Sequence, residues 1–125
     1  MRLHPFLEHD GPLAFAHRGG ASDVPENTMP AFEHAVNLGY RYVETDVQVT
    51  ADGVLVAFHD DDLRRTCGRP GRISELPWSE VRTAMVDGRA PIPLLEDLLV
   101  SGQPKSVILI THDRAFLDRV ATRII

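Results

Sequence analysis

The chain lacks the features that mark disulfide scaffolds, membrane proteins and nucleic-acid-binding proteins. Cys67 is the single cysteine, so no disulfide can form within the chain, and this composition fits a reducing compartment. No segment approaches the roughly 20 apolar residues of a membrane span, and charged residues and proline interrupt residues 1–12, where a signal peptide would be continuously apolar. A net charge of −5 disfavours nonspecific nucleic-acid binding. We therefore expect a cytoplasmic protein with no transmembrane segment and no nucleic-acid partner.

The pattern that is present is that of a globular α/β domain. Its 125 residues, 43% of them apolar, suffice for one ordinary domain with its own core. Strand and helix signals alternate along the chain, which predicts a mostly parallel sheet with helices packed against it. The turn at residues 51–53 sends the third strand back along the second. The predicted strands are 13–17, 41–49, 54–58 and 106–110. The first predicted helix is capped by Thr28 and ends at Gly39, and the later helices are 77–85, 93–100 and one that begins at Thr111 or Asp113. Residues 61–72 are predicted to be a loop.

Four ionisable residues lie at or near the ends of these predicted strands. Glu44 and Asp46 are two residues apart on one strand, so their side chains project from the same face. Two neighbouring carboxylates are costly unless a cation or strong donors neutralise them. His17 ends the strand before and His59 follows the strand after, which predicts a metal-assisted acid–base site. The alternative for such a carboxylate pair is an ordinary solvated strand face.

Six motifs, in order and with matching spacing, resemble the N-terminal part of the glycerophosphodiester phosphodiesterase family. The resemblance covers residues 10–104. The motifs are His17-Arg18-Gly19, Pro25-Glu26-Asn27-Thr28, Glu44-Thr45-Asp46-Val47, Asp52-Gly53, His59-Asp60 with Leu63, Arg65 and Thr66, and the segment 92–99.

The resemblance implies a (β/α) TIM-type barrel enzyme. Such an enzyme hydrolyses glycerophosphodiesters to glycerol 3-phosphate and an alcohol with the help of a divalent cation. By matching position, His17 and His59 would be the general acid and base, and Arg18 would bind the substrate phosphate. Glu44 and Asp46 would bind Mg²⁺ or Ca²⁺, which prefer oxygen ligands.

Several other residues have two interpretations. Glu26 and Asn27 match the family pattern, and we expect them to support the site by bracing their loop and capping the helix that follows. Cys67 is interpreted as an inert surface thiol, and Trp78 as a packing residue. Nearby arginines either attract an anionic substrate or form a solvated basic loop, and we favour the loop; they are Arg64, Arg65, Arg69 and Arg72.

The sequence departs from the family in length and in its last strand. A complete barrel takes about 250 residues, so the chain supplies three to four β/α units. The predicted strand 106–110 has no carboxylate, whereas the family places a further metal ligand there. Residues 107–125 instead resemble the switch-histidine region of F-subfamily ATP-binding cassette ATPases, with His112 as the histidine. The chain has no phosphate-binding Gly-x-x-x-x-Gly-Lys-Ser/Thr loop, so ATPase activity is not expected.

These departures divide the chain and leave two hypotheses for its function. We predict a lead-in at 1–12, a truncated phosphodiesterase-like domain at 13–105 and a tail of different origin at 106–125. The first hypothesis is a hydrolase that acts on a small glycerophosphodiester, with weak activity because the domain is incomplete. The second is a noncatalytic fragment that keeps only metal or phosphate binding. An incomplete barrel exposes a sheet edge, which favours self-association.

Overall fold

A computed structural model describes residues 15–17, 24–40, 42–100 and 106–110, with 15–17 and 106–110 described by their backbone. The predicted lead-in, Arg18, and the helix predicted after Thr111 lie outside these residues. Elements are numbered in chain order. They are β1 Phe15–His17, α1 Met29–Asn37, β2 Tyr42–Val49, β3 Leu55–Ala57, α2 Arg64–Cys67, a 3-10 turn Ile73–Glu75, α3 Trp78–Val81, β4 Met85–Val86, β5 Ala90–Pro91, α4 Leu95–Val100 and β6 Ser106–Ile110.

Strand β2 is the centre of a four-stranded sheet. β1 and β6 both pair with it in parallel, and β3 pairs with its C-terminal part in the antiparallel direction. In this register His17 lies opposite Glu44, and Ile110 lies opposite Asp46. The predicted α/β class, the parallel pairs and the returning third strand are confirmed. β4 and β5 form a separate antiparallel ribbon.

The side chains of β2 alternate between two environments. Val43, Thr45 and Val47 are buried, whereas Glu44, Asp46 and Gln48 are half-buried. Because successive side chains of a strand point to opposite faces, one face of β2 belongs to the core and the other carries polar groups. This alternation puts Glu44, Asp46 and Gln48 on one face.

Helix α1 begins and ends where its capping residues predict. The Thr28 hydroxyl accepts a hydrogen bond from the Ala31 N–H at 3.4 Å and donates to the Pro25 carbonyl at 2.7 Å. Gly39 follows the helix with a φ of +95°, a conformation that glycine adopts without strain. Phe32 is among the apolar residues that α1 buries against the sheet and α4. None of the helices in the described ranges is long and apolar enough to cross a membrane.

The segment between β3 and α4 has its own apolar cluster. Leu63 and Ile73 are fully buried in it, and Trp78 packs against it as predicted. The expectation of a loop over 61–72 is therefore wrong: burial of Leu63 and the left-handed Gly68 define the short helix α2 between them. Cys67 also packs there, and burial raises the pKa of its thiol, so it is less reactive than a surface cysteine. Two predicted helices are shorter than expected, at Trp78–Val81 and Leu95–Val100.

Gly71 is predicted to be more sensitive to substitution than Gly68. Gly71 has a φ of +127°, beyond the left-handed well, and a Cβ there would lie 2.7 Å from Leu76 Cδ1. Gly68 has a φ of +64° and open space around it. We expect Gly71→Ala to lower the free energy of unfolding by about 2–3 kcal/mol and Gly68→Ala by about 1 kcal/mol. Urea unfolding measures both, and equal losses would contradict this account.

Candidate active site on strand β2

Glu44 and Asp46 are the centre of the candidate site. Both are half-buried on the polar face of β2, as the two-residue period predicts. Asp46 lies near the carboxyl ends of the parallel strands β1, β2 and β6, where α/β sheets bind ligands. His17 ends β1 opposite Glu44, so the backbone of the first predicted histidine is beside the first carboxylate.

Asn27 joins the loop before α1 to β2. Its side chain is buried, with Nδ2 donating to Asp46 Oδ2 at 3.1 Å and Oδ1 accepting from Thr45 Oγ1 at 3.0 Å. Its φ of +54° is left-handed, which asparagine tolerates better than most residues. Asn27 therefore braces its loop and orients the Asp46 carboxylate, while Thr28 caps the helix.

The β2–β3 hairpin brings His59 back toward Asp46. The Phe58 N–H donates to the Asp46 carbonyl at 3.0 Å, so His59 follows directly after the pairing of the two strands. Gln48, on the same face of β2 as the carboxylates, holds the chain beyond the hairpin. Its Nε2 donates to the carbonyls of Phe58 at 3.3 Å, His59 at 3.0 Å and Asp60. Gln48 was not among the predicted site residues, although its two-residue spacing from Asp46 predicts a place on the same face of the strand.

Arg65 connects the loop of Glu26 to the loop of His59. Two of its nitrogens donate to the two oxygens of Glu26, each at 2.9 Å. It also donates to Asp60 Oδ2 at 2.8 Å and to Asp60 Oδ1 at 3.0 Å. Asp60 Oδ1 in turn lies 2.6 Å from His59 Nδ1.

The interpretation of the arginines as a solvated basic loop is wrong for Arg65 and Arg69. Arg65 is half exposed, yet its guanidinium is engaged by two carboxylates that are 34 residues apart in the chain (60 − 26). Arg69 donates to Thr83 and Glu80. Pairs so distant in sequence leave no periodic signal, and only the motif containing Arg65 pointed to it.

The pKa of Asp60 indicates how strongly this carboxylate is held. Hydrogen bonds from Arg65, opposed by burial and assisted by the hydrogen bond to His59, together lower the pKa of Asp60 from 3.8 to about 2. The same carboxylates raise the pKa of Arg65. Asp60 is therefore ionised throughout the neutral and mildly acidic range.

This shift predicts a dependence of stability on pH. Because the folded-state pKa of Asp60 lies below its ordinary value, its contribution is fully present above about pH 4 and is lost as pH falls toward 2. We expect the free energy of unfolding of wild type to exceed that of Asp60→Asn by about 1 kcal/mol at pH 6. The difference is small because Arg65 is half exposed. The difference shrinks between pH 4 and pH 2. Urea unfolding at several pH values measures it, and a constant difference would contradict the assignment.

The carboxylates on β2 provide some, but not all, of the ligands that a hard divalent cation needs. Glu44 and Asp46 provide carboxylate oxygens on one face, the ligand type that Mg²⁺ and Ca²⁺ prefer. Within the described residues, no group of three or more histidine, cysteine, aspartate or glutamate side chains is placed to hold a metal ion. The two carboxylates are therefore a partial ligand set.

Comparison with known proteins decides the family. Residues 17–121 match the sequence model of the glycerophosphoryl diester phosphodiesterase family. The chain belongs to this family. The match includes most of the C-terminal segment. The comparisons do not show a resemblance of residues 107–125 to ATP-binding cassette ATPases, so that resemblance and the boundary after residue 105 stay predictions.

Two relatives similar in sequence are named as glycerophosphodiester phosphodiesterases. The chain is 47% identical over 97 residues to the probable glycerophosphodiester phosphodiesterase 2 of Mycobacterium tuberculosis, covering 77% of this chain and 37% of that protein. It is 41% identical over 92 residues to the glycerophosphodiester phosphodiesterase of Bacillus altitudinis, covering 68% and 38%. The chain thus spans little more than a third of the length of these relatives.

Solved structures place the fold among the same enzymes. A glycerophosphodiester phosphodiesterase from Agrobacterium tumefaciens aligns with a TM-score of 0.77 and 30% identity over 88% of this chain and 52% of its own. An Oleispira antarctica phosphodiesterase in complex with the product sn-glycerol-3-phosphate aligns with a TM-score of 0.75 and 32% identity, covering 86% and 47%. These neighbours have TIM-barrel folds, of which the chain matches about half.

Proposed function

We propose that this chain supplies the cation-binding and acid–base part of a phosphoric diester hydrolase. Its substrate would be a glycerophosphodiester, cleaved to glycerol 3-phosphate and an alcohol. One observation carries the proposal: Gln48, on the same face of β2 as Glu44 and Asp46, binds the carbonyl of His59, so the backbone of this histidine lies beside the carboxylate face. Family membership supports the same chemistry.

In this proposal the carboxylates hold a divalent cation, Mg²⁺ or Ca²⁺. Glu44 and Asp46 are its ligands, and Asn27 keeps the Asp46 carboxylate in one orientation by donating to Oδ2. When bound, the cation withdraws negative charge from the phosphoryl oxygens. Arg18 binds the substrate phosphate with its fork of donors.

The two histidines move protons on opposite sides of the phosphorus. One takes a proton from the attacking water as the water oxygen forms a bond to phosphorus. The bond from phosphorus to the leaving alcohol then breaks, and the other histidine protonates the departing oxygen. Histidine suits both tasks because its pKa is close to neutral pH.

We expect slow turnover from this chain alone. It spans about half of the solved structures it matches, and Ser106–Ile110 offers no carboxylate that could complete the ligand set. Self-association through an exposed sheet edge, expected from the sequence, stays a prediction. The alternative of a noncatalytic fragment is an outcome of the test below.

The test is release of glycerol 3-phosphate from glycerophosphocholine. Wild type is assayed with Mg²⁺, with Ca²⁺ and with a chelator, after circular dichroism has shown that the preparation is folded. We expect release that needs a divalent cation and stops on chelation. No release from folded protein under any of these conditions would contradict the proposal for this chain and favour the noncatalytic fragment.

A further inference from the structure

A chain of ion pairs ends on His59, and none of its members has a role in the reaction steps described above. Glu26 binds Arg65 through two hydrogen bonds of 2.9 Å, and Arg65 binds Asp60 through bonds of 2.8 and 3.0 Å. Asp60 Oδ1 lies 2.6 Å from His59 Nδ1. We call Glu26, Arg65 and Asp60 the carboxylate–arginine relay.

The relay holds Asp60 by both of its oxygens. Arg65 Nε donates to Oδ2 and Arg65 Nη2 donates to Oδ1. A carboxylate bound on both oxygens by the rigid fork of a guanidinium cannot rotate without breaking a charge-assisted bond. Glu26 fixes the other side of the same guanidinium, and its side chain is only 13% exposed.

The charge of Asp60 decides which nitrogen of His59 carries the proton. Arg65 keeps the pKa of Asp60 at about 2, so at neutral pH this side chain can only accept hydrogen bonds. His59 Nδ1, at 2.6 Å, must therefore be the donor. In neutral imidazole a protonated Nδ1 leaves the lone pair on Nε2.

We infer that Arg65 is a positioning residue: it fixes Asp60, which holds His59 as the Nδ1–H tautomer and leaves Nε2 as the proton-transfer atom. The inference deepens the proposed function, since the value of a fixed tautomer rests on His59 acting as an acid or base. The tautomer itself does not depend on turnover. A purely structural role for Arg65 would change stability and leave the His59 tautomer as it is.

The test is the tautomer of His59, read by long-range ¹H–¹⁵N correlation spectra of the imidazoles above pH 8. Signals of His59 are identified by their loss in His59→Gln. We expect the Nδ1–H form of wild type to exceed the Nε2–H form by more than about tenfold, the preference that a hydrogen bond to a charged group provides. Arg65→Met should lower this ratio at least about threefold.

Two further variants keep the test decisive. Arg69→Met removes an arginine that bonds Thr83 and Glu80 instead, and it should leave the His59 ratio unchanged. Arg65→Lys keeps the positive charge but cannot bridge two carboxylates in the same way. If Arg65→Met does not fold, the His59 tautomer ratio of Arg65→Lys is compared with wild type instead. A wild-type Nε2–H form, or an unchanged ratio in the folded Arg65 variants, would overturn the inference. Absent phosphodiester hydrolysis would overturn the proposed function and leave this readout intact.

Discussion

His59→Gln is expected to release glycerol 3-phosphate from glycerophosphocholine about 100- to 10,000-fold more slowly than wild type, the range that one general acid or base contributes. Glutamine keeps a polar side chain of similar reach but exchanges no proton near neutral pH. The measurement is the initial rate with the divalent cation present and with each preparation shown to be folded.

His34→Gln is the matched control for this prediction. It makes the same chemical change in helix α1, outside the proposed machinery. We expect its rate to stay within about threefold of wild type, since His34 takes no part in the proposed reaction. A His59→Gln rate within that same range would show that this histidine does not carry the reaction.

Asn27→Ala is expected to lower the free energy of unfolding by about 3 kcal/mol. The change removes two hydrogen bonds of a buried side chain, at 3.1 Å to Asp46 and 3.0 Å to Thr45, which costs about 1–3 kcal/mol. It also places alanine at a φ of +54°, which costs about 1 kcal/mol more. Urea unfolding measures the loss.

Asn27→Gly separates the two contributions. Glycine accepts the left-handed backbone but makes neither side-chain hydrogen bond. We expect Asn27→Gly to be more stable than Asn27→Ala by about 1 kcal/mol and still less stable than wild type. Losses below about 0.5 kcal/mol in both variants would mean that Asn27 does not brace the site.

The parts of the fold that follow from local rules were predictable. The two-residue period of β2 places Glu44 and Asp46 on one face, and the structure has them there. Thr28 caps α1, and the strand expected at 106–110 is Ser106–Ile110. Each of these depends on residues a few positions apart, which a sequence displays directly.

Contacts between distant residues were not predictable in the same way. Gln48 reaches the carbonyls beyond the hairpin, and Arg65 joins Glu26 to Asp60. The spacing of Gln48 from Asp46 indicates its face but not the carbonyls that it binds, and the contacts of Arg65 depend on how two loops meet in the folded chain. The family motifs contain Arg65 but do not say what it binds.

The β4–β5 ribbon shows a local signal that sequence analysis did not use. Asp87 and Gly88 both have positive φ values, 53° and 67°, and lie in the turn between Met85–Val86 and Ala90–Pro91. Asp-Gly is a strong hairpin signal when it is flanked by strands. The strands here are two residues long, too short to show alternation, so a helix through Met85 was predicted instead.

The central claim is that Glu44 and Asp46 bind a divalent cation beside an acid–base pair. Titration calorimetry with Ca²⁺ and Mg²⁺ tests it most directly, on wild type, Glu44→Gln and, as a matched control, Glu33→Gln on the exposed side of α1. We predict millimolar or tighter binding by wild type and Glu33→Gln, and binding weakened at least about tenfold in Glu44→Gln. Equal binding by all three proteins, or none by folded wild type, would contradict the account.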